Sequence, residues 1–325
     1  RHDILPQSPR MNPIPEYNCF PNQAHPLCSM EENVFEDYFS AINCMNASFI
    51  SIRKNVFNCR KGFDLEAHHS ARNSARNSAR RSAGNSARRS GGLRPSFKRG
   101  LQHGESPFKS KVGPLKKESK KPSISLKHYT RGAIVDNCFE NCSLGISFLN
   151  QSIVNISHNS FIDSKDFACL FALDHTIPVL SNQNSFSNCR NGMTIFNQSS
   201  IYSKKDSFSK IENVGIITRG KSLVWMDLAN FDSCLVGIQI RGLALANINE
   251  SNFESCETTF RISDESGLSL HNSTIAQSVH GIIAEHESTF IAFQVNYQHI
   301  QSCGMYLTDS SKSFISGCQF LENNK

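Results

Sequence analysis

Residues 231–242 of this chain read Phe231-Asp-Ser-Cys234-Leu-Val-Gly237-Ile238-Gln-Ile-Arg-Gly242, and the phrase returns about every twenty-two residues. An upstream copy reads Phe186-Ser-Asn-Cys189-Arg-Asn-Gly192-Met193. The Phe or Ile that marks each copy stands at positions 139, 161, 186, 208, 231, 253, 275, 300 and 320, with Val34 and Val56 as earlier markers. Self-similarity at such a period predicts one supersecondary unit stacked on copies of itself.

The inside of each copy alternates between apolar and polar residues. Ile238 and Ile240 follow the glycine of one copy, and Val224 and Met226 form a second short run in another. A period of two indicates strands that turn alternate side chains inwards. Short parallel strands joined by Asn-, Ser- and Gly-rich turns predict a parallel β-helix, in which equivalent residues of neighbouring coils lie about 4.8 Å apart.

The Asn-x-Phe-x-x-Cys-x-x-Gly phrases, such as residues 184–193, resemble the right-handed parallel β-helix, pectin-lyase-like family. The resemblance covers roughly 34–67 and 128–325. It implies an all-β fold, a right-handed parallel β-helix solenoid of about ten coils of about 22 residues each. These phrases are specific for the fold and weak for function.

The repeat and its interruption divide the chain into four parts. Residues 1–33 carry five prolines and are predicted as a leader that caps the first coil. Residues 34–67 hold the first coils, and 128–325 hold the main β-helix. Residues 68–127 break the pattern with a Ser-Ala-Arg-Asn tetrapeptide run followed by Gly-, Pro- and Lys-rich sequence. The gap between flanking markers fits a segment looped out of one coil of a continuous solenoid.

This basic insertion holds sixteen Lys and Arg against two Glu, or +14, so the remainder of the chain carries 6 − 14 = −8. It has too few apolar residues to offset ordering entropy, and we expect it to be disordered. Such a cationic arm would tether the protein electrostatically to an acidic surface or polyanion. A low-complexity expansion without a dedicated partner is the alternative. The predicted tether residues are Arg72, Arg76, Arg80, Arg81, Arg88, Arg89, Lys116, Lys117, Lys120 and Lys121.

The twelve cysteines do not predict a disulfide framework. Cys142, Cys189, Cys234, Cys256 and Cys303 share one place in the repeat, and in-register neighbours lie farther apart than a relaxed disulfide needs. Small thiols that fill a buried turn corner are the better interpretation. Unpaired buried thiols favour an intracellular location, with the cell exterior or cell surface as the alternative. No apolar run is long enough to span a membrane.

The chemistry that the family resemblance implies is mostly missing. Family members that hydrolyse galacturonan carry adjacent aspartates, a Gly-His-Gly and an Arg-x-Lys. This chain has neither of the first two, and Arg219-Gly220-Lys221 matches only the third. Zinc-type spacing of two Cys-x-x-Cys pairs is also missing. The sequence therefore predicts no catalytic residue, no metal site and no cofactor.

Charged and aromatic residues fall together on the flank of the predicted solenoid. The turn after the Gly-Ile strand places Arg219, Arg241, Asp264 and Glu285 on successive coils, which suggests a contact site, although exposed turns carry charges anyway. Tyr202 and Trp225 fall on adjacent coils of one outward face. Such a pair is a plausible contact for protein or sugar, and packing under the insertion or against a neighbouring chain is the alternative.

These observations favour a non-catalytic β-helix scaffold or interaction protein that docks protein partners on its flank, with the basic arm tethered to an acidic surface. The alternative is a carbohydrate-active enzyme, a polysaccharide lyase or glycoside hydrolase, or a carbohydrate-binding surface protein of the pectin-lyase type. The enzyme hypothesis requires at least three titratable groups that converge in one groove.

Overall fold

The chain winds into a parallel β-solenoid of about ten coils. A computed structural model of the protein describes residues 28–36, 41–45, 49–59, 122–176 and 179–323. These residues contain thirty-two strands and no helix. Every pair of neighbouring strands is parallel and joins equivalent positions of successive coils, so the predicted all-β parallel β-helix is confirmed.

Each coil adds one strand to each of three sheets. Sheet 1 comprises β1 (Cys28–Glu31), β4 (Phe49–Arg53), β7 (Arg131–Val135), β10 (Ile153–Ser157), β13 (Val179–Asn182), β16 (Ser200–Lys204), β19 (Leu223–Asp227), β22 (Leu245–Asn249), β25 (Gly267–His271), β28 (Thr289–Phe293) and β31 (Lys312–Ser316). Sheet 2 comprises β2 (Val34–Glu36), β5 (Val56–Asn58), β8 (Cys138–Glu140), β11 (Ser160–Ile162), β14 (Ser185–Ser187), β17 (Ser207–Ser209), β20 (Asn230–Asp232), β23 (Asn252–Glu254), β26 (Thr274–Ala276), β29 (Asn296–Gln298) and β32 (Gln319–Leu321). Sheet 3 comprises β3 (Ile42–Cys44), β6 (Ile124–Lys127), β9 (Leu144–Leu149), β12 (Ala168–Leu173), β15 (Asn191–Phe196), β18 (Val214–Arg219), β21 (Val236–Arg241), β24 (Thr258–Ser263), β27 (His280–Ala284) and β30 (Cys303–Leu307).

A column of stacked phenylalanine rings runs through the core behind sheet 2. Phe231 pairs in register with Phe253, and their ring centroids lie 4.7 Å apart. Offset stacking of this kind adds roughly 0.5–1.5 kcal/mol per pair beyond the area buried. The column therefore fixes the register of coils whose polar turns differ. Its stacked members are Phe35, Phe57, Phe139, Phe161, Phe186, Phe208, Phe231 and Phe253.

Three of the predicted markers are displaced from this ring column. Val34 and Val56 precede it by one residue and point outwards, since Phe35 pairs with Phe57 and Phe57 with Phe139. The predicted marker Ile300 is also wrong, because Tyr297 continues the column between Ile275 and Phe320.

As a consequence, Cys303 does not share the position of the other repeat cysteines. It begins β30 and pairs in register with His280. The predicted place of Cys142, Cys189, Cys234 and Cys256 in a buried corner is confirmed. All ten cysteines outside the undescribed segments and Cys28 are free thiols.

The glycine of the repeat is needed where sheet 3 meets the ring column. A Cβ placed on Gly215 would lie 2.6 Å from the carbonyl oxygen of Gly237 and 2.7 Å from the ring of Phe231. Gly192 meets the same two obstacles, the backbone of Gly215 and the ring of Phe208. The Gly-Ile phrase thus reflects close packing of one coil on the next.

Buried asparagines form a second column at the corner between sheets 1 and 2. The side-chain oxygen of Asn159 accepts hydrogen bonds from the backbone nitrogen and the side-chain amide of Asn137, at 3.0 Å each. Asn184 accepts in the same way from Asn159. The residue before each asparagine has the positive φ of the turn, such as Asp136 at 57°, so the asparagine itself is left to hydrogen-bond along the stack.

The asparagine column ends on a carboxylate. Asp206 accepts from the backbone nitrogen and side-chain amide of Asn184 and from the hydroxyls of Ser181 and Ser203. Burial raises the pKa of Asp206 above its usual value, and the hydrogen bonds from these three residues oppose the shift. The carboxylate therefore closes the column with four donors around it.

The basic insertion leaves the solenoid at one corner and returns to the same corner. Cys59 donates its backbone N–H to Glu140 of the following coil, and Ser123 donates its own to Leu144. Elsewhere β8 and β9 are joined by three residues, 141–143, whereas β5 and β6 are joined by residues 59–123. β5 and β6 are thus consecutive strands of one coil, on the two sides of this long connection. Residues 60–121, with all the tether residues from Arg72 to Lys121, lie outside the described residues.

Two predicted boundaries differ from the strands. β1 begins at Cys28 and pairs with β4, although residues 1–33 were predicted as a leader. β6 lies within the predicted insertion 68–127, because Ile124 and Leu126 are fully buried and pair with β9. The short apolar alternation at each place is hidden in sequence by the neighbouring prolines and lysines.

Candidate functional site

Sheet 3 turns into sheet 1 through a tight corner that repeats along the solenoid, which we call the 3–1 corner. Its turn begins with a residue of positive φ, and the residue two places later has its side chain buried. Ser266 shows the role of that residue, because its hydroxyl donates to the carbonyl oxygens of Ser263 and Ile240 and joins two coils. The corner thus has a fixed shape, and its exposed side chains are free to vary.

Three arginines lie on the outer face of sheet 3 beside this corner, and we call them the arginine column. Arg219 pairs in register with Arg241, so these two residues lie one coil apart. Arg261 lies on the next coil, two residues before Ser263, which is the partner of Arg241. The guanidinium of Arg219 lies 5.8 Å from the ring centroid of Phe196, within the range of a cation–π contact.

Arg241 occupies the most desolvated position of the column. Its Nε atom is buried and has no hydrogen-bond partner. Burial lowers the pKa of Arg241, and the charges of Arg219 and Arg261 lower it further, whereas Asp264 and Glu285 oppose this. Like charges on neighbouring strands repel each other, so an anion bound beside the arginine column would reduce the repulsion between its guanidinium groups.

The structure brings together the four charged residues predicted at this flank. Asp264 begins the turn that follows Ser263 and accepts a hydrogen bond from its hydroxyl at 3.1 Å. Glu285 lies 3.4 Å from the guanidinium of Arg261. Sequence reasoning missed Arg261, although its place between the inward residues Phe260 and Ile262 marks it as outward-facing.

The predicted aromatic pair lies on the outer face of sheet 1. Tyr202 and Trp225 are register partners on neighbouring coils. The Tyr202 hydroxyl donates to Asp227 at 2.7 Å. Burial, followed by the Asp227 carboxylate, raises the pKa of Tyr202 to about 12. Trp225, and not Tyr202, lines a neighbouring cavity.

An apolar groove of about 370 Å³ opens beside Trp225. Leu245 leans over Gly267, since a Cβ on that glycine would lie 2.8 Å from a Leu245 methyl group. Leu245 is 52% exposed and Ile291 is 39% exposed, which is high for side chains of this size. The residues that line the apolar groove are Leu223, Val224, Trp225, Leu245, Ala246, Asn247, Gly267, Leu268, Ser269, Thr289 and Ile291.

Acidic residues surround a second, wider depression of about 750 Å³ on the 3–1 corner, which we call the acidic turn row. Its titratable side chains are all exposed, and His286 lies 3.7 Å from Asp309. Within the described ranges, no group of three or more His, Cys, Asp or Glu side chains could hold a metal ion. The lining residues are Gly242, Leu243, Asp264, Glu265, His286, Glu287, Asp309 and Ser310.

In the described part of the chain, no helix is long and apolar enough to cross a membrane.

The comparisons with known proteins give a structural similarity but no sequence match. No family model matches the sequence, and no curated protein matches it. Among solved structures, the fold is similar to that of a point mutant of the periplasmic alginate epimerase AlgG. That similarity has 10% identity and a TM-score of 0.48, and it covers 91% of this chain and 76% of the other. A likeness of this degree carries no argument about activity, and it gives no support to the predicted intracellular location.

Proposed function

We propose that this chain is a non-catalytic β-solenoid that docks a protein partner on the outer face of sheet 1. The apolar groove is the observation that carries this proposal. An open, aliphatic-lined groove beside the half-buried Trp225 suits the apolar side chains of a protein segment. Rigid strands hold the groove in one shape, so binding would not require the solenoid to rearrange.

The docking test compares two exposed leucines. Leu245 lines the groove, whereas Leu235 is 41% exposed at a different corner of the same solenoid. Leu245→Asp should abolish capture of the partner by immobilised full-length protein, and Leu235→Asp should leave capture unchanged. A partner identified by mass spectrometry that binds both variants equally well would refute docking at the groove.

We also propose that the basic insertion provides a second, less specific attachment. Sixteen Lys and Arg against two Glu within residues 68–127 support electrostatic binding to a polyanion. Because β6 is part of the solenoid, the deletion that tests this should end at residue 121. Binding to an anionic heparin resin should weaken steeply with salt and should be lost on deletion of residues 68–121. Retention on the resin after deletion would exclude the tether.

A carbohydrate-active enzyme is the second candidate, and the acidic turn row favours it. Asp264, Glu287 and Asp309 converge on one depression, as such an enzyme requires. Their exposure to solvent opposes it, since a general acid or base is usually tuned by burial. Incubation with polygalacturonate and alginate should release no reducing or unsaturated ends. Release that disappears in Asp264→Asn would establish the enzyme instead.

A further inference from the structure

Two glycines interrupt the row of side chains along the 3–1 corner. Gly220 and Gly242 begin their turns with φ of 72° and 69°. The same turn position in seven other coils is occupied by residues that carry side chains and have positive φ, namely His128, Asn150, Asp174, Asn197, Asp264, His286 and Asp309. The backbone of this turn therefore does not require glycine.

Close packing does not require a glycine at position 220 either. A Cβ on Gly220 would meet its nearest neighbour, the backbone nitrogen of Asn197, at 3.5 Å, which is ordinary contact. What distinguishes these two coils is the missing side chain. The ridge of the corner is consequently lowest there, and we call this stretch of Gly220 and Gly242 the saddle.

The saddle connects the arginine column to the apolar groove. Arg219 and Leu223 flank it in one coil, and Arg241 and Leu245 flank it in the next. Leu243, which follows the second glycine, is 49% exposed. Charge and apolar surface therefore lie on the two sides of a ridge that lacks a side chain at its first turn position and carries Lys221 and Leu243 at its second.

The arginine column has positive charge that its own neighbours do not neutralise. Arg261 is paired with Glu285, whereas Arg219 and Arg241 form no salt bridge within the described part of the chain. Counting Lys221 and the three arginines against Asp264, Glu265 and Glu285, the stretch carries 4 − 3 = 1 excess positive charge. One excess charge matches a carboxylate better than a doubly charged phosphate, and Glu285 shows that a carboxylate fits beside the column.

We propose that the saddle is crossed by an extended, acidic segment of the docked protein partner. A carboxylate of that segment binds Arg219 and Arg241, and a neighbouring apolar side chain enters the groove beside Leu245. This inference rests on the proposed docking function and names the chemistry of the partner. The aliphatic lining of the groove favours a protein segment over a hydroxyl-rich sugar chain, which would need polar partners.

The first experiment measures binding of a fluorescein-labelled peptide of alternating glutamate and leucine to the full-length protein by fluorescence anisotropy. Arg219→Gln combined with Arg241→Gln should weaken binding about tenfold, the effect of losing a charge-assisted contact. Arg219→Lys with Arg241→Lys should weaken it less, because charge remains and the planar fork is lost. Arg131→Gln, an exposed arginine that begins β7, several coils away from the saddle, is the control and should bind like the wild type.

The second experiment fills the saddle. Gly220→Asn keeps a residue that adopts this turn in two other coils, Asn150 and Asn197, and adds a side chain on the ridge. The thermal midpoint should stay unchanged, and peptide binding should weaken several-fold. Unchanged binding in both Gly220→Asn and the double glutamine variant would overturn the inference.

Two further outcomes separate this inference from the docking proposal. If Leu245→Asp abolishes binding of the natural partner while the arginine variants bind it normally, docking stands and the acidic contact is refuted. If the arginine column binds polygalacturonate and the variants lose that binding without any change for the peptide, the ligand is an acidic polysaccharide and the proposed protein segment is wrong.

Discussion

Cys59 and Ser123 are 64 positions apart in sequence, yet the thiol sulfur of one lies 4.0 Å from the hydroxyl oxygen of the other. The two residues occupy neighbouring places at the corner between sheets 2 and 3. Cys142 of the following coil lies beneath them, with its sulfur 3.5 Å from that of Cys59. The two ends of the insertion are therefore held together by contacts within the solenoid itself.

Replacing residues 60–121 with a direct connection should leave the solenoid folded. Shortening the linkage from residues 59–123 to three residues removes loop-closure entropy of about 2–3 kcal/mol, which should raise the free energy of unfolding by at most that amount. Urea unfolding followed by circular dichroism measures the change. A variant that fails to fold would show that the removed residues contribute to the core.

Removing one ring from the phenylalanine column should have an effect that depends on position. Phe231 is fully buried between two rings, and Phe231→Ala should reduce the free energy of unfolding by about 3–5 kcal/mol. Phe320 is 51% exposed in the last described coil, so Phe320→Ala should reduce it much less. Chemical denaturation of both variants tests this, and equal losses would contradict the stacking role.

Glycine at the repeat position should tolerate substitution only where the next coil leaves room. Gly215→Ala would press a methyl group against the Gly237 carbonyl and the Phe231 ring, with an expected loss of about 1–3 kcal/mol. Gly304→Ala is the matched control at the same repeat position, because its added Cβ would lie 3.4 Å from the nearest atom. Thermal midpoints of the two variants should differ clearly. A midpoint for Gly215→Ala that equals that of Gly304→Ala would argue against this packing.

The buried carboxyl at the end of the asparagine column should give stability a specific pH dependence. The native pKa of Asp206 is raised from 3.8, so between that value and the native pKa the folded state binds more protons than the unfolded state. The contribution of Asp206 to stability therefore falls as pH rises through this window, and it levels off above the native pKa.

The variant Asp206→Asn should remove that dependence while the side-chain oxygen still accepts from Asn184. Urea unfolding of both proteins across the acid range measures the difference in their unfolding free energies. The wild type should lose stability relative to the variant as pH rises. A relative gain would mean that the four hydrogen bonds outweigh burial.

The repeat was predictable from the sequence because the phenylalanine, cysteine and glycine that mark each copy pack well only when successive coils are in register. Phe231 over Phe253 and the buried Cys234 corner follow from spacing alone. The markers Val56 and Ile300 failed because they are as apolar as the ring-column residues near them, Phe57 and Tyr297. Only strand pairing shows which of the two points inwards.

The flank was only partly predictable. Arg219, Arg241, Asp264 and Glu285 could be aligned by counting residues from the repeat glycine. The apolar groove could not, because it arises where Gly267 lacks a side chain between outward residues of three coils. The saddle at Gly220 was missed for a different reason. A glycine in a turn is ordinarily explained by its positive φ, so its missing side chain was not interpreted as a feature of the surface.

The asparagine column has a direction, and this restricts how the solenoid can have grown. Each asparagine both donates to the following coil and accepts from the preceding one, so a duplicated turn inserted between Asn137 and Asn184 would join seamlessly on both sides. Asp206 accepts but cannot donate through its carboxylate. A copy of the Asp206 turn placed earlier in the column would set its carboxylate oxygen against the side-chain oxygen of the next asparagine. Asp206 can therefore stand only at the end of the column, and duplicated turns could be added only before it.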